Sequence, residues 1–189
     1  MGGETTPSQT AGPYFSIGLG WLNRNDLARG ATGGERVTIR GRILDGEGQP
    51  VPDACLEIWQ ADAHGKYAQP ENRQENSHAH GFSGFGRVPT NERGEFSFTT
   101  IKPGSVPGPD GGAQAPHLEI SLFMRGLLRR LVTRLYFPND PANPADHVLN
   151  LVPAGRRATL IARPLADEPH TLEWDIRLQG EHETVFFEC

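Results

Sequence analysis

Three side chains that are able to bind a metal ion occur in two short motifs of this chain. Tyr67 ends the motif H-G-K-Y, and His117 and Glu119 belong to the motif A-P-H-L-E. A phenolate, an imidazole and a carboxylate can each coordinate a metal ion. Taken alone, Tyr67 is typical of an aromatic residue covering a core edge, and His117 of a hydrogen-bonded, half-buried histidine. A metal site built from all three residues is conceivable.

A second pair of candidate ligands is His78 and His80, which are separated by one alanine. On a β-strand, such a pair faces one side of the sheet and can hold zinc or iron. The surrounding sequence is rich in Gly, Ser and Asn and has no acidic or cysteine partner at ligand spacing. This composition favours a solvated loop.

Composition limits the class of protein. The 189 residues fit a single domain over 1–189, and the formal net charge of -5 argues against a sequence-independent nucleic-acid binder. Cys55 and Cys189 are too few cysteines for a disulfide framework. The N-terminus has no basic start followed by an apolar run, and no stretch approaches about 20 apolar residues. We therefore expect a cytoplasmic protein with neither nucleic-acid nor membrane partners.

The elements that position these residues are predicted to be short β-strands. The 23 glycines and 16 prolines fall between short apolar segments, which is typical of strands joined by turns. The predicted strands cover 37–40, 54–59, 95–100, 117–123, 131–137, 158–163, 171–178 and 184–187. This pattern predicts an all-β fold, an antiparallel β-sandwich of short strands.

Two long loops, 68–86 and 102–115, are expected to carry function or contacts because loops of this length are uncommon in a compact domain. The segment 125–130 is compatible with a short helix or with an irregular crossover.

Several motifs together resemble a known family. In chain order they are E-I-W-Q-A-D-A-H-G-K-Y, T-I-K-P-G, A-P-H-L-E-I-S-L-F and T-R-L-Y-F. This succession resembles the intradiol ring-cleaving dioxygenases, and among them the protocatechuate 3,4-dioxygenases, over nearly the whole chain. The resemblance implies a β-sandwich related to enzymes that use non-haem Fe(III) and O₂ to open a catechol ring between its hydroxylated carbons.

The resemblance also identifies the positions of the family's iron ligands, which are two tyrosines and two histidines. Tyr67 and His117 match the first ligand of each kind, but Val106 and Glu119 occupy the other two positions. Gln114 stands where the catalytic chains have an arginine that stabilises the bound catecholate. These departures imply that this chain holds no cofactor and that Fe(III) is bound by a homologous β chain.

The N-terminal motif T-P-S-Q-T-A-G-P-Y predicts on composition alone an ordered, extended tail. The resemblance implies more: an arm covering 1–35 contributes to the active site of the partner chain. Its matching residues, expected to line the catechol ring, are Thr10, Gly12, Pro13 and Tyr14.

Arg125, in the motif L-F-M-R-G, is the second substrate-binding candidate. On its own it is an ordinary surface charge in an arginine-rich stretch. The resemblance places it at the substrate site, where a guanidinium can form a charge-assisted pair with the carboxylate of protocatechuate.

The resemblance as a whole implies the iron-free α subunit of an obligate hetero-oligomer. The complex would cleave protocatechuate with O₂ to 3-carboxy-cis,cis-muconate, and this chain would complete the substrate pocket. Three alternatives remain: a metal-free β-sandwich binding module, a purely structural subunit, and a self-sufficient enzyme that uses Tyr67, His117 and Glu119.

Overall fold

The computed structural model describes residues 18–31, 33–68, 82–108 and 111–188, and within them the chain is built mainly from short β-strands. The strands are β1 (Arg36–Leu44), β2 (Cys55–Trp59), β3 (Phe85–Pro89), β4 (Glu95–Ile101), β5 (Val106–Pro107), β6 (Ala113–Gln114), β7 (His117–Phe123), β8 (Leu131–Tyr136), β9 (Arg163–Pro164), β10 (Thr171–Glu173) and β11 (Ile176–Arg177). The helices are α1 (His147–Leu151) and the 3₁₀ helices Gly20–Leu22, Asn143–Ala145 and Ala154–Leu160.

The strands form two main sheets and a small hairpin. The first sheet is antiparallel, with the strand order β3-β2-β7-β8. In the second sheet β1 pairs with β4 on one edge and with β10 and β11 on the other, and β9 extends it beyond β10. The hairpin joins β5 to β6.

The hydrophobic core lies between the two sheets because apolar side chains alternate along the strands. Leu118, Ile120 and Leu122 point inward from β7, and Phe96 and Phe98 point inward from β4. A second, smaller core packs beside the first sheet and consists of Ala115, Tyr136, Leu149, Val152 and Leu160. The predicted β-sandwich is confirmed.

Three details differ from the sequence-based prediction. The predicted strand 171–178 pairs with β1 in parallel rather than antiparallel orientation, and it is interrupted after Glu173. Half of the predicted strand 158–163 is instead the end of the 3₁₀ helix Ala154–Leu160, whose Leu160 is buried in the smaller core. The segment 184–187 contributes an isolated bridge between Val132 and Phe187 rather than a full strand.

Gly41, in the middle of β1, is required by the close approach of the C-terminal strands. The amide of Trp174 donates a hydrogen bond to the carbonyl of Arg40, with a distance of 2.9 Å. A Cβ atom at position 41 would lie 1.9 Å from the carbonyl oxygen of Trp174. Only glycine therefore allows the backbones to pass at this distance.

The two loop regions of interest are partly described. Within 102–115 the structure shows the β5–β6 hairpin, while most of 68–86 lies outside the described residues, as do His78 and His80. The segment 125–130 is neither a helix nor a crossover but an irregular loop that joins the antiparallel neighbours β7 and β8, with Gly126 at a φ of 85°. None of the described helices is long and apolar enough to cross a bilayer.

Candidate functional site

Tyr67 occupies the first ligand position and follows a tight turn. The side chain of Asp62 accepts hydrogen bonds from the amides of His64 (2.8 Å) and Lys66 (2.9 Å), which fixes the turn. The ring of Tyr67 stacks on Trp59 with a centroid distance of 6.1 Å. Burial, and then the negative charge of Glu119, raise the pKa of Tyr67, although Arg134 opposes this. The phenol therefore stays protonated at neutral pH.

The loop that carries the second position packs directly against this turn. The amide of Gly104 donates to the carbonyl of Asp62 at 2.9 Å, and a Cβ atom at Gly65 would lie 2.0 Å from the carbonyl oxygen of Ser105. The next residue, Val106, is buried on β5 and pairs with Gln114 on β6. Its side chain is a hydrocarbon and cannot coordinate a metal ion.

His117 begins β7 and is buried, with 4 % of its surface exposed. Its Nδ1 lies 2.7 Å from the carbonyl oxygen of Ala115, so Nδ1 carries the proton. Nε2 has no hydrogen-bond partner among the described residues. Burial, and then the charge of Arg134, lower the pKa of His117, so that the imidazole is neutral at pH 7.

The fourth position, Glu119, forms an ion pair with Arg134. The two residues are direct cross-strand neighbours on β7 and β8, and Nη2 of Arg134 lies 3.1 Å from Oε1 of Glu119. Nη1 of the same guanidinium donates to Oε1 of Gln114 at 2.7 Å. Burial opposes the charge of Arg134, but Tyr136 and Glu119 raise its pKa overall, so it remains a cation.

The arrangement does not fit a metal ion. Val106 offers no donor, and the carboxylate of Glu119 is already held by Arg134. The charge of that guanidinium would repel a metal cation at the same place. Across the part of the chain that the structure describes, no group of three or more His, Cys, Asp and Glu side chains could hold a metal ion. A metal site of Tyr67, His117 and Glu119 would have to compete with Arg134 for the carboxylate of Glu119.

Asp146 supports this region and was not singled out in the sequence. It is fully buried, and its carboxylate accepts hydrogen bonds from the hydroxyl of Tyr136 (3.0 Å) and the amides of Ala115 (2.7 Å) and Leu149 (2.7 Å). Asp146 thus caps α1 and fixes the backbone just before His117. The pattern of an aspartate directly before an apolar helical segment is the signal that could have found the cap.

Arg125, one of the predicted substrate-binding residues, lies apart from this cluster. Arg125 follows the C-terminal end of β7, whereas His117 is at the other end of that strand. The side chain of Arg125 is 67% exposed and forms an ion pair with Asp53. Thr10, Gly12, Pro13 and Tyr14 lie outside the described residues, so their predicted role stays a prediction.

Comparison with known proteins identifies the family. Residues 11–180 match the family described as Dioxygenase. The protocatechuate 3,4-dioxygenase alpha chain of Pseudomonas putida is 43% identical, with 97% of this chain and 96% of that chain aligned. The protocatechuate 3,4-dioxygenase beta chain of Burkholderia cepacia is 38% identical, with 86% of this chain and 72% of that chain aligned.

A solved structure supports the same assignment. It is the dioxygenase domain of a dioxygenase carbohydrate-binding protein fusion from Streptomyces sp. SirexAA-E, which is 26% identical with a TM-score of 0.64 and covers 86% of this chain and 89% of that chain. Sequence, fold and the order of the motifs agree. The chain therefore belongs to the intradiol ring-cleavage dioxygenase family.

Proposed function

We propose that this chain is the iron-free α subunit of a two-chain protocatechuate 3,4-dioxygenase. The observation that carries the proposal is the state of the four ligand positions, where Val106 and the Glu119–Arg134 pair replace two donors. The relatives named alpha and beta chains support a division of labour between two homologous subunits. In that division the β chain holds Fe(III), and the complex works in the cytoplasm.

The reaction assigned to the complex is ring cleavage between the two hydroxylated carbons of protocatechuate. Both oxygen atoms of O₂ enter the product, 3-carboxy-cis,cis-muconate. The iron supplies the chemistry that joins the catechol and O₂, and it does so on the β chain. This chain binds and orients the substrate, and it contributes to the wall that separates the ring from water.

Arg125 is the residue of this chain that we assign to the substrate carboxylate. Its guanidinium is exposed and is anchored by Asp53, so that it can reach a ligand held mainly by another subunit. A charge-assisted hydrogen bond to a carboxylate contributes about 1 to 3 kcal/mol, depending on how well water is excluded. The N-terminal residues Thr10, Gly12, Pro13 and Tyr14 are assigned to the wall around the ring.

The association of the two chains is proposed to be obligate. Obligate interfaces commonly bury more than about 2,000 Å² and are more apolar than the rest of a protein surface. Trp21 and Leu128 are candidates for such an interface, because they are 79% and 64% exposed in the isolated chain. A stable, monodisperse monomer obtained from this chain alone would contradict obligate association.

The first test compares this chain purified alone with the complex that it forms with its β partner. Iron content and the visible absorption of tyrosinate bound to Fe(III) are measured on both samples. We expect iron, colour and ring cleavage only in the complex. Iron and activity in the isolated chain would instead support the self-sufficient enzyme.

The second test addresses the substrate pocket in the assembled complex. Arg125→Ala should raise KM for protocatechuate much more than for catechol, because catechol has no carboxylate. Arg129→Ala, in the same exposed loop, is the matched control and should leave both values near those of the unchanged complex. Equal effects of Arg125→Ala on both substrates would contradict its role. Unchanged kinetics for both Arg125→Ala and Tyr14→Ala would identify this chain as a purely structural subunit.

A further inference from the structure

Arg134 contacts β7, which carries two of the family's ligand positions, and β6, which pairs with the strand that carries a third. One nitrogen of its guanidinium donates to Glu119 on β7, and the other donates to Gln114 on β6. Gln114 pairs with Val106 across the hairpin and donates through its amide to the carbonyl of Pro107 at 3.0 Å. The guanidinium therefore links β8 to both β7 and the β5–β6 hairpin.

The charge of Arg134 also acts on the two remaining positions. It interacts electrostatically with the phenol of Tyr67 and with the imidazole of His117. The side chain of Arg134 is mostly buried, at 15% exposed, so its charge is weakly screened by water. A single fixed positive charge is thus felt by Tyr67, His117 and Glu119, the polar groups left at the ligand positions.

We propose that Arg134 is the resident cation of this site: its guanidinium takes the place of the metal ion, links β8 to β7 and to the β5–β6 hairpin, and bars a metal from binding. The inference rests on the proposed function of an iron-free subunit and adds a physical reason for it. The loss of two ligands lowers the affinity for iron, and the fixed positive charge opposes binding independently of that loss. Restoring donors at positions 106 and 119 is therefore insufficient while Arg134 remains.

The test uses two variants of the full chain, each co-produced with its β partner and supplied with iron in air. The first, Val106→Tyr with Glu119→His, restores the family's donor types. The second adds Arg134→Gln, which keeps hydrogen-bonding capacity but removes the charge. Metal analysis gives the iron in each complex, and the visible absorption reports Fe(III) bound by tyrosinate.

We expect the double variant to contain the same iron as the unchanged complex. The triple variant should contain about one additional iron per copy of this chain, with a matching increase in absorption. Equal iron loading of the two variants would overturn the proposal, and so would a folded triple variant without additional iron. Iron bound to the unchanged chain would instead contradict the proposed function, so that the two failures are distinguishable.

If the triple variant does not assemble with the β chain, a second measurement tests the proposal. Arg134→Gln alone leaves Tyr67, His117 and Glu119 free of the competing charge. Zn²⁺ should then raise the thermal unfolding midpoint of the complex carrying that variant, but not of the unchanged complex. Arg163→Gln is the matched control, because Arg163 forms a similar cross-strand pair with Glu173 at 3.0 Å on the other sheet. An absence of stabilisation by Zn²⁺ in Arg134→Gln would overturn the proposal.

Discussion

Glu119 and Arg134 lie directly opposite each other on β7 and β8, with Nη2 of the arginine 3.1 Å from Oε1 of the glutamate. The resemblance of the motifs implies a histidine ligand at the position of Glu119 in the catalytic chains of the family. Here an anion faces a cation that is part of the chain. This ion pair is the physical basis of the predictions that concern the site.

The first prediction concerns the stability contributed by this pair. Glu119→Ala leaves a mostly buried guanidinium with one partner fewer, so we expect it to lower the free energy of unfolding by about 1 to 3 kcal/mol. Glu173→Ala breaks the more exposed pair with Arg163 and should cost less than about 1 kcal/mol. Chemical denaturation of both variants gives the comparison. If Glu119→Ala loses no more unfolding free energy than Glu173→Ala, the other hydrogen bonds of Arg134 suffice without Glu119.

The second prediction concerns acid stability. Burial, followed by Arg134, lowers the pKa of His117 from its ordinary value of 6.5. The unfolded chain therefore binds a proton at this residue more readily than the folded chain does, and stability falls as the pH drops below about 6.5. His117→Asn should reduce the loss of unfolding free energy at acid pH, as measured by urea denaturation between pH 4 and 8. The same substitution at the exposed His182 is the control, and an unchanged slope in His117→Asn would contradict the prediction.

The third prediction concerns Asp146. Asp146→Ala removes a helix cap and leaves the buried amide of Ala115 and the hydroxyl of Tyr136 without their acceptor. We expect the free energy of unfolding to fall by about 3 kcal/mol or more. Asp45 is the control, because it also accepts from two backbone amides, those of Glu47 and Gln49, but in an exposed turn. Asp45→Ala should cost about 1 kcal/mol, and similar losses for both variants would contradict the role of burial.

The fourth prediction concerns the contact of Gly41 with Trp174. Gly41→Ala places a methyl group 1.9 Å from a backbone carbonyl that cannot rotate away. We expect the variant to lose several kcal/mol of stability or to fail to fold. Gly155→Ala, where the added methyl group meets no atom within 4 Å, should stay within about 0.5 kcal/mol of the parent chain. Thermal unfolding or soluble yield distinguishes the two variants, and a stable Gly41→Ala would show that the strands can separate there.

The strands were predictable wherever alternation alone decides the structure. The predicted strand 117–123 has the observed bounds of β7, and 95–100 falls one residue short of β4. In both strands the buried residues recur with a period of two, and that period can be read directly from the sequence. The prediction of a strand over 158–163 was wrong because a short apolar run does not distinguish a strand from a helical turn. Leu160 is instead buried in the smaller core.

The ligand positions were predictable, but the contacts that now occupy them were not. Tyr67, Val106, His117 and Glu119 were identified by motif. In the sequence, Arg134 is only a polar residue at an alternating position of a strand. Its partners Gln114 and Glu119 become visible only when the register of β7 with β8 is known, and that register depends on pairing that no local pattern encodes.

The parallel pairing of β1 with β10 and β11 also determines when the second sheet can finish folding during synthesis. Ile39 lies opposite Leu172, so the neighbour of β1 leaves the ribosome only after β2 to β9 have been synthesised. Until then β1 presents an open edge to other chains in the cell, and such edges invite non-native pairing. A nascent chain interrupted before Thr171 would be a substrate for chaperones and proteases rather than a smaller version of this subunit.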